Sequence, residues 1–347
     1  MTTVSSHFPS RVAASICVPV YNASLRIRQT LEATERAIAV LPNPADVELI
    51  IIDNGSSDDT RGAVDKFWQA SVMPYAKRYV VESKSGAPYA RMRGWQEARG
   101  QVIVFCDDDV TIGADGLRLI LHTAESETSL GGGGGKIIPQ LEDGVAWPTW
   151  FDDRLRANLA ISDDASAVSY NPPSSYLPVS ALVWFRREAL QKWTEYLTDD
   201  SVFPLGPKGK EMWRGDDIEM DLFVARAGWA FKFDPAIVGF HRIATGRLSV
   251  DYMLSLLYWN GRSGMRIQHR WHNVSWFYCA SRVLYRGLWK EPMRVLRALS
   301  GRGKQPAERF RIDPQSLDSE VNAQMHYAYY VGTFDEMVAK AVNPWRF

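Results

Sequence analysis

Cysteine is scarce. The chain of 347 residues has three, Cys17, Cys106 and Cys279. Three cysteines do not make a disulfide framework, and Cys17 and Cys106 stand in apolar, strand-like runs where a small buried thiol is the ordinary reading. A reducing compartment, the cytoplasm, is therefore expected. The opening MTTVSSHFPSRVAAS lacks the apolar core of a signal peptide. Nowhere do about 18 apolar residues follow one another, so no spanning helix is expected. There is no internal repeat and no net charge. What remains, 46% hydrophobic and 23% charged residues, is a globular composition, with length for one large α/β domain plus an appendage or for two domains.

The zero net charge hides an asymmetry. Between His241 and Arg311 stand fourteen Lys or Arg against three acids, Asp251, Glu291 and Glu308. Residues 249–311 also carry Trp259, Trp271, Trp276, Phe277, Tyr278, Tyr285 and Trp289. Basic, aromatic helices can lie peripherally on an anionic membrane. The reading preferred here is a helical subdomain that packs its aromatics on the catalytic domain and leaves its arginines solvated. No nucleic-acid reader motif accompanies the basic patch, so nucleic acid is not an expected partner.

The first 110 residues alternate strand and helix signals. SICVPV (15–20), VELIIID (47–53), KRYVVE (77–82) and VIVFCD (102–107) read as strands. Between them, 24–41, 58–70 and 88–99 have helical spacing, with Ser24 as a candidate cap and Gly100 as a stop. Repeated β-α-β units imply a mainly parallel sheet covered by helices. Ligands of such sheets bind beyond the carboxyl ends of the strands, which puts the stretches after Val20, Ile52 and Cys106 on one rim. Gly131 to Gly135 are followed by no Lys-Ser/Thr, so a phosphate cradle is disfavoured. A flexible entry to the strand at Lys136 is expected instead. Residues 142–178 read as a long loop region that could cover a site. GDDIEMDLFVARAG (215–228) reads as a helix started by acids and stopped by Gly228, and AFKFDPAIVGFHR (230–242) as a strand.

Asp107, Asp108 and Asp109 leave the fourth strand together. Crowded carboxylates are costly unless something positive joins them. Mg²⁺ or Mn²⁺ does so through oxygen ligands, commonly one or two carboxylates plus phosphate oxygens. A solvated acidic turn is the bland alternative. Asp53 leaves the second strand at the same rim. It could accept hydrogen bonds from a base or sugar, or merely cap the helix after Asp58.

VPVYN, IIDNGSSDDT, SGAPYARMRG, FCDDDV, GGGKIIP, FRREAL, GDDIEMDLFVARAGW and FDPAIVGFHR occur in that order. Over residues 14–247 the chain resembles the family 2 glycosyltransferases, with the GT-A fold. A tail, 1–13, would precede that domain and a basic, aromatic, mostly helical region, 248–347, would follow it. The resemblance implies transfer of a sugar from a nucleotide diphosphate donor, UDP-type by default, with inversion. The acceptor would be a hydroxyl of a glycan, a lipid-linked or a small molecule. Pro19, Tyr21 and Asp53 would line the nucleobase pocket, Arg91 would face the donor, and Asp107 would bind the ribose. Asp109 would bind Mn²⁺ or Mg²⁺ bridging the diphosphate, with His241, after the last strand, completing the metal site. Asp217 would be the general base, with Asp216 standing where the family has Glu and Asp221 as second choice. Met92 replaces an expected Asn, and VSALVWF departs from the family's Gly-Ala-Asn-Met, so the donor sugar is not assigned. QHRW (268–271) resembles the Gln-x-x-Arg-Trp motif of processive relatives, but the spacing fails, and polymer synthesis is not predicted.

Two other classes compete. One is a nucleotide-sugar or glycan-binding protein without turnover. The other is a nucleotidyltransferase, which VPVYNASLR argues against because it lacks the Gly-rich loop such enzymes carry after the first strand.

Overall fold

The structure, a computed structural model, describes residues 12–162, 168–170, 177–198, 204–207, 211–272 and 328–336, with residues 275, 278, 281 and 339. Cys279 and nearly all of the basic stretch beyond residue 272 lie outside the described residues, as does most of the tail. The chain alternates β1 Ala14–Val20, α1 Ile27–Ala39, β2 Val47–Asp53, α2 Thr60–Ala70, β3 Ala76–Val81, α3 Ala87–Glu97 and β4 Val102–Cys106. Then come β5 Val110–Ile112, α4 Gly116–Ser126, β6 Leu130–Leu141, α5 Asp153–Ala157, β7 Val168–Tyr170, β8 Leu182–Arg186, α6 Gln191–Leu197, α7 Asp216–Arg226, β9 Ala230–Ile243 and α8 Val250–His272. Two compact units result. The first is Met1–Pro139, Ala160–Thr198 and Met220–Arg242; the second is Gln140–Leu159, Asp199–Glu219 and Ile243–Phe347.

The first unit is built on one sheet, ordered β3-β2-β1-β4-β8-β6-β9-β5, with β7 on β9. β3, β2, β1 and β4 are parallel, as the repeats require. β8 joins β4 antiparallel, β6 joins β8 likewise, and β5 and β7 each join β9 antiparallel, making the sheet mixed. Side chains alternate between its two faces. Val47, Leu49 and Ile51 of β2 enter one core with α1 and α4, whereas Ile50 and Ile52 enter the other with α3, α6 and α7. Each such aliphatic side chain contributes about 1.5–3 kcal/mol on full burial. That is why VELIIID is apolar almost throughout.

Three local expectations need correction. Ser24 does not cap α1: the helix starts at Ile27 behind Arg26, and the Ser24 amide donates to Asp58 Oδ2 at 3.0 Å. The five glycines are not a flexible entry but part of β6 itself. A Cβ on Gly132 would lie 2.6 Å from the Trp184 carbonyl oxygen, on Gly133 2.4 Å from that of Lys232, and on Gly135 1.9 Å from that of Ile237. The neighbouring strands have taken the space side chains would need. His241 does not follow the last strand; it lies within β9, opposite Val110 of β5.

The second unit is mainly helical. The Arg262, Arg266 and Arg270 side chains of α8 are not the solvated arginines expected: they pair with Glu336 and Glu219, carboxylates that are themselves at most 2% exposed. Trp259 and Trp271 are buried. Among the described residues, no helix is long and apolar enough to cross a membrane.

Candidate functional site

The parallel register brings the carboxyl ends of β1, β2 and β4 together. Val20 lies opposite Asp53, and the Asn54 amide donates to the Val20 carbonyl at 3.0 Å. Pro19 has no N–H to give, and the β1–β4 pairing runs only from Ala14 to Cys17. The strand can therefore splay from β4 at Pro19.

The loops after β1 and β2 are laced into each other. The Asn22 amide donates to Ser56 Oγ at 2.9 Å, the Ser57 amide to Asn22 Oδ1 at 2.7 Å, and the Ala23 amide to Thr60 Oγ1 at 2.8 Å. Asn22 at φ 49° and Gly55 at φ 85° make the left-handed turns this needs. Asp53 does not cap α2. Its Oδ1 accepts from the Ser56 amide at 2.8 Å, and its Oδ2 from the Tyr79 hydroxyl at 2.6 Å. Burial, then Asp53, pushes the Tyr79 phenol up, so it stays a donor. Tyr21 projects from this rim, 58% exposed. Each carboxylate oxygen of Asp53 has a second lone pair for a ligand N–H or O–H.

The acidic turn follows β4. Asp107 accepts from Arg91 Nη2 at 3.1 Å, and the same Nη2 reaches Ser180 Oγ at 3.3 Å. Asp108 is held by Arg26 as a fork, Nε to Oδ1 and Nη2 to Oδ2, both at 2.8 Å. Arg26 also donates to the carbonyls of Asn22 at 2.7 Å and Tyr21 at 2.8 Å. Thr30 Oγ1 donates to the Asp108 carbonyl at 2.9 Å, and the Arg242 amide to that of Asp109 at 2.9 Å. His241 Nε2 lies 3.5 Å from Asp109 Oδ2. Burial raises the carboxyls of Asp107 and Asp108 above the ordinary range, Asp108 to about 6, and the neighbouring aspartates add to this. Arg91 opposes the rise at Asp107 and Arg26 that at Asp108.

The donor set fits a divalent cation. Asp109 offers hard oxygens, and His241 adds an imidazole that Mn²⁺ accepts. Among the described residues, no group of three or more His, Cys, Asp or Glu side chains forms a ready metal cage. An Mg²⁺-type site needs none, because phosphate oxygens and water supply the rest.

The first unit thus gathers Pro19, Tyr21, Asp53, Arg91, Asp107, Asp109 and His241 on elements of one sheet and its covering helices. Asp217 lies in the second unit, in the first turn of α7, where its Oδ1 accepts from the Ile218 amide at 2.9 Å. Asp216 is 8% exposed and Asp221 1%. Sequence reasoning missed Arg26, Thr30, Tyr79, Ser180 and Arg242. The legible signal was Asp108 itself: the middle acid of three, buried, requires a counter-charge of its own.

A family model described as glycosyl transferase family 2 matches residues 15–193. EpsH of Bacillus subtilis (strain 168), whose glycosyltransferase designation is provisional, is 30% identical over 118 residues, 34% of this chain and 32% of its own. An undecaprenyl-phosphate 4-deoxy-4-formamido-L-arabinose transferase of Pseudomonas savastanoi pv. phaseolicola is 28% identical over 96 residues, 28% of either chain. These matches span about a third or less of the relatives' length. Among solved structures, the mannosyltransferase PcManGT from Pyrobaculum calidifontis, in complex with GDP-Man and Mn²⁺, has a TM-score of 0.56 at 17% identity, covering 96% of this chain and 88% of that one. That likeness concerns the fold alone.

Proposed function

The chain belongs to glycosyl transferase family 2, and from that premise we propose that it transfers a sugar, with inversion, from a nucleoside diphosphate donor to an acceptor hydroxyl. The observation that carries this reading is the acidic turn at the carboxyl end of β4, with Arg91 on Asp107 and His241 beside Asp109. Residues 14–247 would form the transferase domain and 248–347 its helical extension.

Pro19, Tyr21 and Asp53 receive the nucleobase, Asp53 as acceptor for a base N–H. Asp107 takes the ribose hydroxyls, with Arg91 orienting its carboxylate. Asp109 and His241 would hold Mn²⁺ or Mg²⁺, which would supply positive charge against that building on the departing diphosphate. Asp217 takes the proton of the acceptor hydroxyl as that oxygen attacks the anomeric carbon. Such base catalysis contributes about 10²- to 10⁴-fold. Asp217 stands in the first turn of α7, where its Oδ1 accepts from the Ile218 amide. A single displacement at carbon inverts configuration.

A relative named for undecaprenyl phosphate favours a lipid-linked acceptor over a glycan or a small molecule. That acceptor would place the enzyme at the cytoplasmic face of a membrane. Because Arg262, Arg266 and Arg270 are engaged with carboxylates, peripheral contact through 249–311 would fall to residues beyond 272.

Thermal-shift measurement with UDP-, GDP- and dTDP-sugars plus Mn²⁺ tests the reading, since a ligand of the folded state raises its melting temperature. One base class should raise it, Asp109→Ala should abolish the metal-dependent part, and Asp217→Asn should keep donor binding and lose transfer. If wild type and Asp109→Ala are equally inert with every donor, the protein is not a transferase of this kind.

A further inference from the structure

The QHRW stretch, whose spacing departs from the processivity motif, has a use in the fold. Arg270 Nη1 and Trp271 Nε1 both donate to Glu219 Oε1, the latter at 3.4 Å, two residues beyond Asp217. These are the last of a series of contacts inside the second unit. The Trp213 ring meets Trp259 edge-on, centroids 4.9 Å apart. Arg262 and Arg266 lie over the same Trp213 ring at 4.7 and 4.3 Å. The Arg214 amide donates to Ser263 Oγ at 3.0 Å. Gly215 turns at φ 94°, where a Cβ would meet Ile267 Cδ1 at 2.6 Å. The α8 partners of segment 213–219 are thus residues 259, 262, 263, 266, 267, 270 and 271. That is the i, i+3, i+4, i+7 progression of one helix face.

Two of these partners are held by a third element. Glu336, 0% exposed, accepts from Arg262 Nε at 2.7 Å and Nη2 at 2.6 Å on Oε2, and from Arg266 Nε at 2.5 Å on Oε1. Its helical segment, 328–336, is pressed against α8: a Cβ on Gly332 would lie 1.9 Å from the Tyr258 carbonyl oxygen, and one on Gly261 2.0 Å from that of Tyr329. A guanidinium stacked on an aromatic ring is useful only in a fixed plane, and a buried one is tolerated only when compensated. Glu336 meets both conditions for Arg262 and Arg266 at once.

We propose that Glu336, Arg262 and Arg266 are positioning residues for catalysis: they fix the α8 face on which segment 213–219 is seated, and so hold Asp217 at the start of α7 in one orientation. The inference rests on Asp217 being the base. The C-terminal helical region is then part of the catalytic apparatus without touching donor or acceptor. Misplacement of a reacting group by about 1 Å can cost about 10²-fold, so a loosened seat is felt in turnover.

The test uses the full chain with Glu336→Gln, Arg266→Lys and Ser263→Ala, alongside Asp217→Asn. Glu336→Gln keeps the shape and removes the charge. It should lower kcat about tenfold or more, leave the donor KM within about twofold, and speed hydrogen exchange at amides 213–219 but not in β2. Arg266→Lys keeps the charge and should retain more activity than Glu336→Gln. If Glu336→Gln does not fold, Ser263→Ala decides through the same readouts, with a smaller fall in kcat and faster exchange at Arg214. Folded variants with unchanged kcat, or with exchange at 213–219 no faster than wild type, overturn the inference. If Asp217→Asn is inactive while the other variants turn over normally, only this inference fails. If Asp217→Asn transfers at the wild-type rate, the base assignment fails, and exchange alone then decides whether Glu336 seats the segment.

Discussion

Two carboxylate clusters in this molecule are treated in opposite ways. Glu336 is enclosed by two guanidinium groups and is 0% exposed. Asp107, though paired with Arg91, keeps 34% of its side-chain surface. The first cluster is closed: its one carboxylate is 0% exposed, with both oxygens taken up by guanidinium donors. The second has its Asp108 and Asp109 carbonyls hydrogen-bonded but leaves a carboxylate edge for a ligand. Exposure of the paired carboxylate, rather than the number of acids, separates a structural ion cluster from a site.

The sharpest test of this contrast is stability. Glu336→Ala strands the buried Arg266 guanidinium and the half-buried one of Arg262, and breaking a buried pair costs about 3–5 kcal/mol. Urea unfolding should show a loss of that order. Asp109→Ala should do the reverse. Removing one of three crowded acids relieves repulsion, so the unfolding midpoint should barely move. Transfer should nevertheless fall by roughly 10²–10³-fold, measured as initial rate with saturating donor. If Asp109→Ala destabilises as much as Glu336→Ala, the distinction between closed and open clusters is wrong.

Arg26→Gln probes the join between the two loops of the site. The Arg26 side chain is 38% exposed, so its ion pair contributes under about 1 kcal/mol to stability. Yet it ties Asp108 to the carbonyls of Tyr21 and Asn22. Calorimetry should find donor binding weaker by roughly fivefold, about 1 kcal/mol. A stability loss without a change in donor affinity would make Arg26 a plain surface pair. The smallest effect concerns thiols. Burial raises both Cys17 and Cys106, so neither should react with an aromatic disulfide reagent before unfolding. Rapid labelling of Cys106, one residue before the turn, would mean that the acidic turn opens by itself.

The parallel half of the sheet was legible because its signals are local. VELIIID is apolar on both faces, and each strand-helix repeat fits the next. The acidic turn was legible for the same reason. The glycine run was misread because its meaning lies in Trp184, Lys232 and Ile237, residues distant in sequence whose backbones claim its space. Ser24 failed as a cap because Asp58 of another loop took its amide. The arginines of α8 read as a solvated basic face because Glu219 and Glu336, which pair with them, stand far away along the chain. Arg26 and Arg242 escaped notice likewise: nothing in their immediate sequence tells which carboxylate or carbonyl they will grip.

The bare strand β6 also sets how far the protein can be altered. At Gly132, Gly133 and Gly135 the obstacle to a side chain is another strand's main chain, which no compensating substitution can trim away. Random mutagenesis should therefore find this stretch as intolerant as the acidic turn, although no chemistry is assigned to it. Only assays that separate folding from turnover would tell the two kinds of intolerance apart.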